Sequence, residues 1–167
     1  MASDHRLDEL IRAMSPPKGT RLWFGGASPG GCLRGVTVEV AARRLAPDRH
    51  SIWEFALHIA YWKYAVRRVI EDLPTGSFPR SPSNWPKAPE TASEKEWNED
   101  RALLRSEHEA LVQSVQRFEP RRLDDQAPGS GAYRYIDLMH GAIMHDAYHV
   151  GQIQLVKRLF AERSVTA

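Results

Sequence analysis

His145 and His149 stand four residues apart in a stretch, Tyr133 to Ala161, that reads as one long helix. Residues at i and i+4 lie about 40° apart around a helix axis, so both imidazoles share one face. Such a pair can chelate one divalent transition metal through two ring nitrogens. A third ligand must then come from another helix, and His58 is the best candidate. It lies one step off an apolar stripe formed by Phe55, Ile59 and Trp62. A core histidine satisfied by one hydrogen bond would occupy the same place, and spacing alone leaves both readings open.

The other polar residues near these positions are candidates for supporting roles. Gln152, three residues beyond His149, falls on the face of the pair and is placed to bond a water, a substrate or a ligand. A partly buried amide at a helix interface explains it equally well. Asp146 is a candidate to orient a ligand histidine as an outer carboxylate, or is an ordinary exposed acid. His108, between Leu104 and Leu111 on another stripe, is read as a partner outside the ligand set or as a buried histidine bonded to a carbonyl or carboxylate, with fourth ligand as the lesser reading. His140 lies five residues before His145, about 140° round the helix, and is set apart. His5 and His50 read as solvated. Tyr148, Asp146, Gln152 and His108 are unranked candidates for a general base. Trp23, Trp62 and Trp85 are candidates to line a pocket.

Elements must hold these residues in place. Residues 4–14 carry Leu7, Leu10, Ile11 and Met14 at helical spacing, stopped by Pro16 and Pro17. Residues 15–35 are rich in Gly, Pro and Ser and read as a long loop that packs on the domain through Trp23, Phe24 and Leu33. A short helix is expected over Thr37 to Leu45, with Thr37 as its N-cap. Ser51-Ile52-Trp53-Glu54 has the form of a capping box. After it, Ile52, Phe55, Ile59, Trp62, Val66 and Val69 form a core-facing stripe to about Asp72. Residues 73–92 hold five prolines and form a second long loop, with Trp85 as a possible anchor and a binding loop as its natural role. A second capping box, Ser93 with Glu96, opens a helix that runs to about Phe118. Residues 120–132 are turn-rich. Four long helices and two long connections read as an all-α, four-helix bundle.

The chain has 167 residues, consistent with a single domain over 1–167. Apolar residues make up 42% and charged residues 26%, as in an ordinary globular chain rather than a disordered one. The net charge of +2, from 23 basic and 21 acidic residues, argues against a nucleic-acid partner, which requires a concentrated basic face. No apolar run reaches membrane-spanning length, and no secretory leader is evident. The lone Cys32 cannot form an internal disulfide. It reads as an incidental small apolar residue, with mixed-disulfide partner as the alternative. A cytoplasmic location fits these features.

Taken together, the motifs resemble those of DinB-like proteins. Ser51-Ile-Trp-Glu-Phe-Ala-Leu-His58-Ile-Ala-Tyr-Trp62 is similar to the second-helix motif of that superfamily, and His145-Asp-Ala-Tyr-His149-Val-Gly151-Gln152 to its last-helix motif. Trp97-Asn-Glu-Asp and Ser106-Glu-His108-Glu-Ala-Leu111 resemble the third-helix pattern. The resemblance spans about Trp23 to Phe160 and rests on the motifs in this order, not on any one of them. It implies an up-down-down-up bundle of DinB/YfiT type, commonly a homodimer. It also implies a three-histidine metal site at His58, His145 and His149. Zn or Ni, with bacillithiol, mycothiol or a related low-molecular-weight thiol, are the cofactors it implies. Relatives often carry Trp-His-Gly in the first loop; this chain has Trp23-Phe24-Gly25, which puts in doubt any substrate role that loop has in relatives.

Three neutral imidazoles leave a coordination position open, the arrangement of a catalytic rather than a closed structural site. A metal there lowers the pKa of a thiol or water. The favoured expectation is therefore a metal-dependent transferase that activates a low-molecular-weight thiol, or water, for attack on a small electrophilic substrate. A metal-dependent hydrolase and a non-enzymatic metal-binding or stress-response protein are the alternatives.

Overall fold

The computed structural model describes residues 4–17, 19–20, 26–74 and 76–165, with the side chains of 163–165 left aside. Among them the chain is helical, with one isolated antiparallel bridge between Gln126 and Arg134. The helices are α1 (His5–Met14), α2 (Pro29–Cys32), α3 (Val38–Ala42), α4 (Ile52–Ile70), α5 (Glu94–Gln116) and α6 (Tyr135–Val165). A turn of 3-10 helix, Pro120–Arg122, precedes α6.

Local chemistry explains where these helices start. Ser51 Oγ accepts from the Glu54 amide while Glu54 reaches back to the Ser51 amide, and Ser93 and Glu96 repeat the arrangement on α5. Both expected capping boxes are therefore formed, each satisfying two amides that have no partner inside the helix. Thr37 caps α3 as expected. The first loop is less irregular than its composition implies. Ser28 accepts from Gly31 N and Pro29 takes the first helical position, which nucleates the single turn of α2. Leu33 is buried, as expected of a packed loop, whereas Trp23 and Phe24 lie outside the described residues.

The contacts along α4 give the helix directions. Trp53 Nε1 donates to Asp100 at 2.7 Å, Arg67 reaches Glu107 at 3.0 Å, and Glu71 accepts from Ser114 at 2.5 Å. Both sequence numbers rise together, so α4 and α5 run parallel. Against α6 they run oppositely: His58 lies beside His149, and Lys63 bonds Asp146. Parallel neighbours cannot be joined by a tight turn. The connection from α4 must return along the whole of a 19-residue helix, about 28 Å at 1.5 Å per residue. The proline-rich loop is the segment that does so.

Two apolar clusters fill the interior. One gathers Trp53, Leu57, Ile59 and Trp97 with Ile153, Val156 and Phe160. The other gathers Leu7, Leu10, Ile70, Val115, Tyr135 and Met139. Trp53 and Trp97 pack with ring centroids 5.1 Å apart, and Trp97 Nε1 donates to the Val36 carbonyl. The α4 stripe needs one correction. Trp62 is 39% exposed rather than in the core, and the next residue, Lys63, is the one buried. Lys63 is tolerated there because its ammonium bonds the Asp146 carboxylate.

Candidate metal centre

α4 and α6 bring His58, His145 and His149 together. Their ring centroids form a near-equilateral triangle, with sides of 4.9, 4.7 and 4.4 Å. One potential ligand atom from each lies within 4.8 Å of the others, so the three can hold a metal ion. His58 Nε2 and His145 Nε2 approach to 3.1 Å. The i, i+4 spacing on α6 supplies two of the rings, and the antiparallel register of α4 supplies the third.

The surroundings of two rings set their tautomers. His58 Nδ1 bonds the backbone carbonyl of Asn84. His149 Nδ1 lies 2.7 Å from Gln152 Oε1. Each acceptor holds a proton on Nδ1, which leaves the lone pair on Nε2. In both rings, then, the nitrogen away from the supporting acceptor is the one free to ligate. This is the usual outer-shell device of a histidine metal site.

Burial and mutual repulsion keep the imidazoles neutral. Burial first, then the neighbouring His149, pull His58 down to about 4. Burial, the other two histidines and Lys63 take His145 to about 3. Burial also lowers His149. Near pH 7 the cluster therefore presents three neutral nitrogen donors, a set that fits a borderline divalent transition metal.

The proline-rich loop closes one side of the cluster. Asn84 stands at φ 72°, a left-handed conformation that asparagine tolerates better than most residues. There its carbonyl faces His58 while its side chain accepts from Trp62 Nε1 at 2.9 Å. Trp85 then stacks on His58 at 3.7 Å, and His50 stacks on the other face of Trp85 at 3.8 Å. Arg80 anchors the loop to the bundle through the buried Asp100 at 2.7 Å. A cleft of about 430 Å³ opens beside His149, lined by Trp85, Tyr148, Gln152, Leu155 and Val156.

Several sequence expectations meet the structure here. Gln152, Tyr148 and Trp62 do gather at the histidines: Gln152 holds His149, the Tyr148 ring lies edge-on to His149 at 4.8 Å, and Trp62 packs against His58 and His145. Asp146 does not orient a histidine; its side chain is turned to Lys63. His108 is outside the cluster and bonds neither a carbonyl nor a carboxylate, its Nδ1 being buried without a partner among the described residues. His50 is not merely solvated but forms the outer layer of the stack on Trp85, while His5 is exposed as expected. Sequence reasoning missed Asn84, Lys63 and His50. The available signal for the first was a tryptophan, Trp85, in a polar proline-rich loop where no helix needs it.

Comparison with known proteins adds one finding. A family model described as the DinB superfamily matches residues 31–153, which include all three histidines and the loop over them. No curated protein and no solved structure matches the chain.

Proposed function

The chain belongs to the DinB superfamily, and from that premise and the histidine geometry we propose that it is a metal-dependent transferase acting on a low-molecular-weight thiol. The observation that carries this reading is the convergence of three neutral imidazoles, two of which, His58 and His149, have Nε2 freed by Asn84 and Gln152. His58, His145 and His149 would hold a divalent ion, Zn or Ni. Such an ion supplies Lewis acidity, which favours the ionised form of a thiol or of water at neutral pH.

The protein's own residues supply the rest. Trp85 and Phe55 shield the imidazoles from solvent on one side. The cleft beside His149 is the route for a small electrophile, with Val156 offering apolar contact and Gln152 polar contact next to the ligand histidine. In the reaction the thiol sulfur bonds to the electrophilic atom, the displaced group leaves with its electron pair, and the thiol proton passes to solvent.

The parallel α4–α5 pair and the antiparallel α4–α6 pair support an up-down-down-up bundle forming one domain. Met144, Tyr148 and Leu155 form an exposed apolar row on α6, with Gly141 and Gly151 on the same face. That row supports a homodimer, which sedimentation would reveal. No helix of the described residues is long and apolar enough to cross a membrane; with the lone buried Cys32 this supports a cytoplasmic assignment.

The test is direct. Protein loaded with Zn or Ni is given a thiol panel and a chromogenic electrophile, beside His149→Ala. Thiol-dependent turnover lost in the variant is expected, and equal rates in the two proteins refute the proposal. Turnover of an ester panel without thiol would move the assignment to hydrolysis.

A further inference from the structure

A second polar constellation sits on α5, apart from the three histidines. Arg101, Leu104, Arg105 and His108 recur at three- and four-residue steps and share one face of the helix. That face meets the Ser28 turn of α2, and between them lies a cleft of about 200 Å³ whose apolar wall is Leu33 and Leu104.

Among the described residues no acid lines this cleft. Among the described residues neither Arg101 nor Arg105 pairs with a carboxylate. Arg101 makes one long contact, 3.4 Å, to Asn98 Oδ1, and its guanidinium lies 5.9 Å from the Trp97 ring. On the same helix Asp100 is engaged with Arg80 and Trp53 and Glu107 with Arg67, while the exposed Glu109, four residues beyond Arg105, lies outside the cleft lining. Two like charges at i and i+4 repel each other, so the pair is stabilised by whatever anion lies between them.

His108 adds a donor. Its Nδ1 is buried without a partner, whereas Nε2 has no partner among the described residues but is not sealed off. Burial, with Lys63 nearby, takes this imidazole down to about 4, so it carries a single N–H at neutral pH. A buried, orphaned N–H is rarer than an orphaned acceptor. The proton therefore belongs on Nε2, the nitrogen a ligand can reach. Ser28 Oγ already accepts from Gly31 N, which leaves its own O–H to donate. The polar side chains of the cleft are thus all donors.

We propose that this cleft binds a small organic oxyanion, its oxygens on Arg101, Arg105 and His108 and its apolar part on Leu33 and Leu104. The ligand class is set by the donors: a carboxylate or a phosphate monoester. The site is separate from the metal centre and does not depend on the thiol chemistry above.

Histidine side-chain nitrogen resonances of the full-length, metal-loaded protein provide the test. Sodium sulfate, standing in for a phosphate ester, and sodium acetate are titrated separately at constant ionic strength maintained with sodium chloride. The His108 resonances should shift saturably, with a midpoint in the millimolar range, while those of His58, His145 and His149 stay fixed. Arg105 is exposed, so Arg105→Gln should keep the fold and weaken binding about tenfold; Arg101→Gln with Arg105→Gln should abolish it. A circular-dichroism melt checks both variants, and the single variant decides should the double one not fold. Saturation by sulfate alone assigns a phosphate monoester, and by acetate alone a carboxylate. Shifts with neither anion, or equal shifts in wild type and Arg105→Gln, overturn the proposal.

Discussion

Replacing Gln152 by leucine isolates the part of the metal centre that lies behind the ligands. Gln152 Oε1 is 2.7 Å from His149 Nδ1 and holds the proton there. Leucine keeps similar bulk and removes the acceptor. The His149 ring is then free to move its proton to Nε2, the nitrogen needed for the metal, and that arrangement must be reversed on binding. Loss of such an outer partner lowers metal affinity by about 10- to 100-fold, or roughly 1.4–2.8 kcal/mol. Gln152→Glu keeps an acceptor at the same reach and should retain affinity. The assay is a competition titration of Zn or Ni against a chromogenic chelator, with His149→Ala as the reference for losing a ligand outright. An affinity within twofold of wild type for Gln152→Leu would refute the orienting role. A loss as large as that of His149→Ala would refute it too, since Gln152 would then be acting as a ligand.

Three further outcomes follow from the packing. Lys63→Met leaves the buried Asp146 without its partner and should cost about 3–5 kcal/mol in urea unfolding, with much of it restored in Lys63→Met/Asp146→Leu; an unchanged midpoint in the single variant would contradict the pairing. Asp100→Asn removes the charge that Trp53 and Arg80 share; a loss of about 2 kcal/mol is expected, with faster amide exchange over residues 79–87, and unaltered exchange there would show that Arg80 does not hold the loop. The third concerns pH. Unfolded histidines take up protons near pH 6.5, whereas folded His58 and His108 resist until about 4 and His145 until about 3. The unfolded state therefore binds more protons below pH 6.5, so stability of the metal-free protein should fall steadily from there toward pH 4 and gain nothing from these groups above pH 7. Urea midpoints across that range should show a shallower slope for His108→Gln; parallel slopes would contradict the burial of His108.

Much of the site was legible because its parts are local. The i, i+4 pair needs only a helix, and both capping boxes are written within four residues, at Ser51 to Glu54 and Ser93 to Glu96. His58 was ambiguous for a physical reason: its ligand role depends on which helix faces α4, and periodicity does not carry that. The same ambiguity misplaced Trp62. An apolar residue at the edge of a stripe is buried or exposed according to its neighbour, and here the neighbour is the open rim of the histidine cluster. Asn84 and Trp85 were harder still. Their loop has no period, and its path over the histidines follows from α4 and α5 running parallel, a long-range property. His108 reads as a core histidine on α5 because it sits on the stripe; its missing partner appears only once Ser28 and Leu33 are set against it.

The central claim is that one metal ion is shared by three imidazoles through Nε2. Anomalous diffraction from crystals of the Zn- or Ni-loaded protein, collected on both sides of the metal edge, measures this directly. A single strong peak about 2.0–2.1 Å from Nε2 of His58, His145 and His149 is the expected result. A peak elsewhere, or the three rings turned apart with no metal between them, would contradict it.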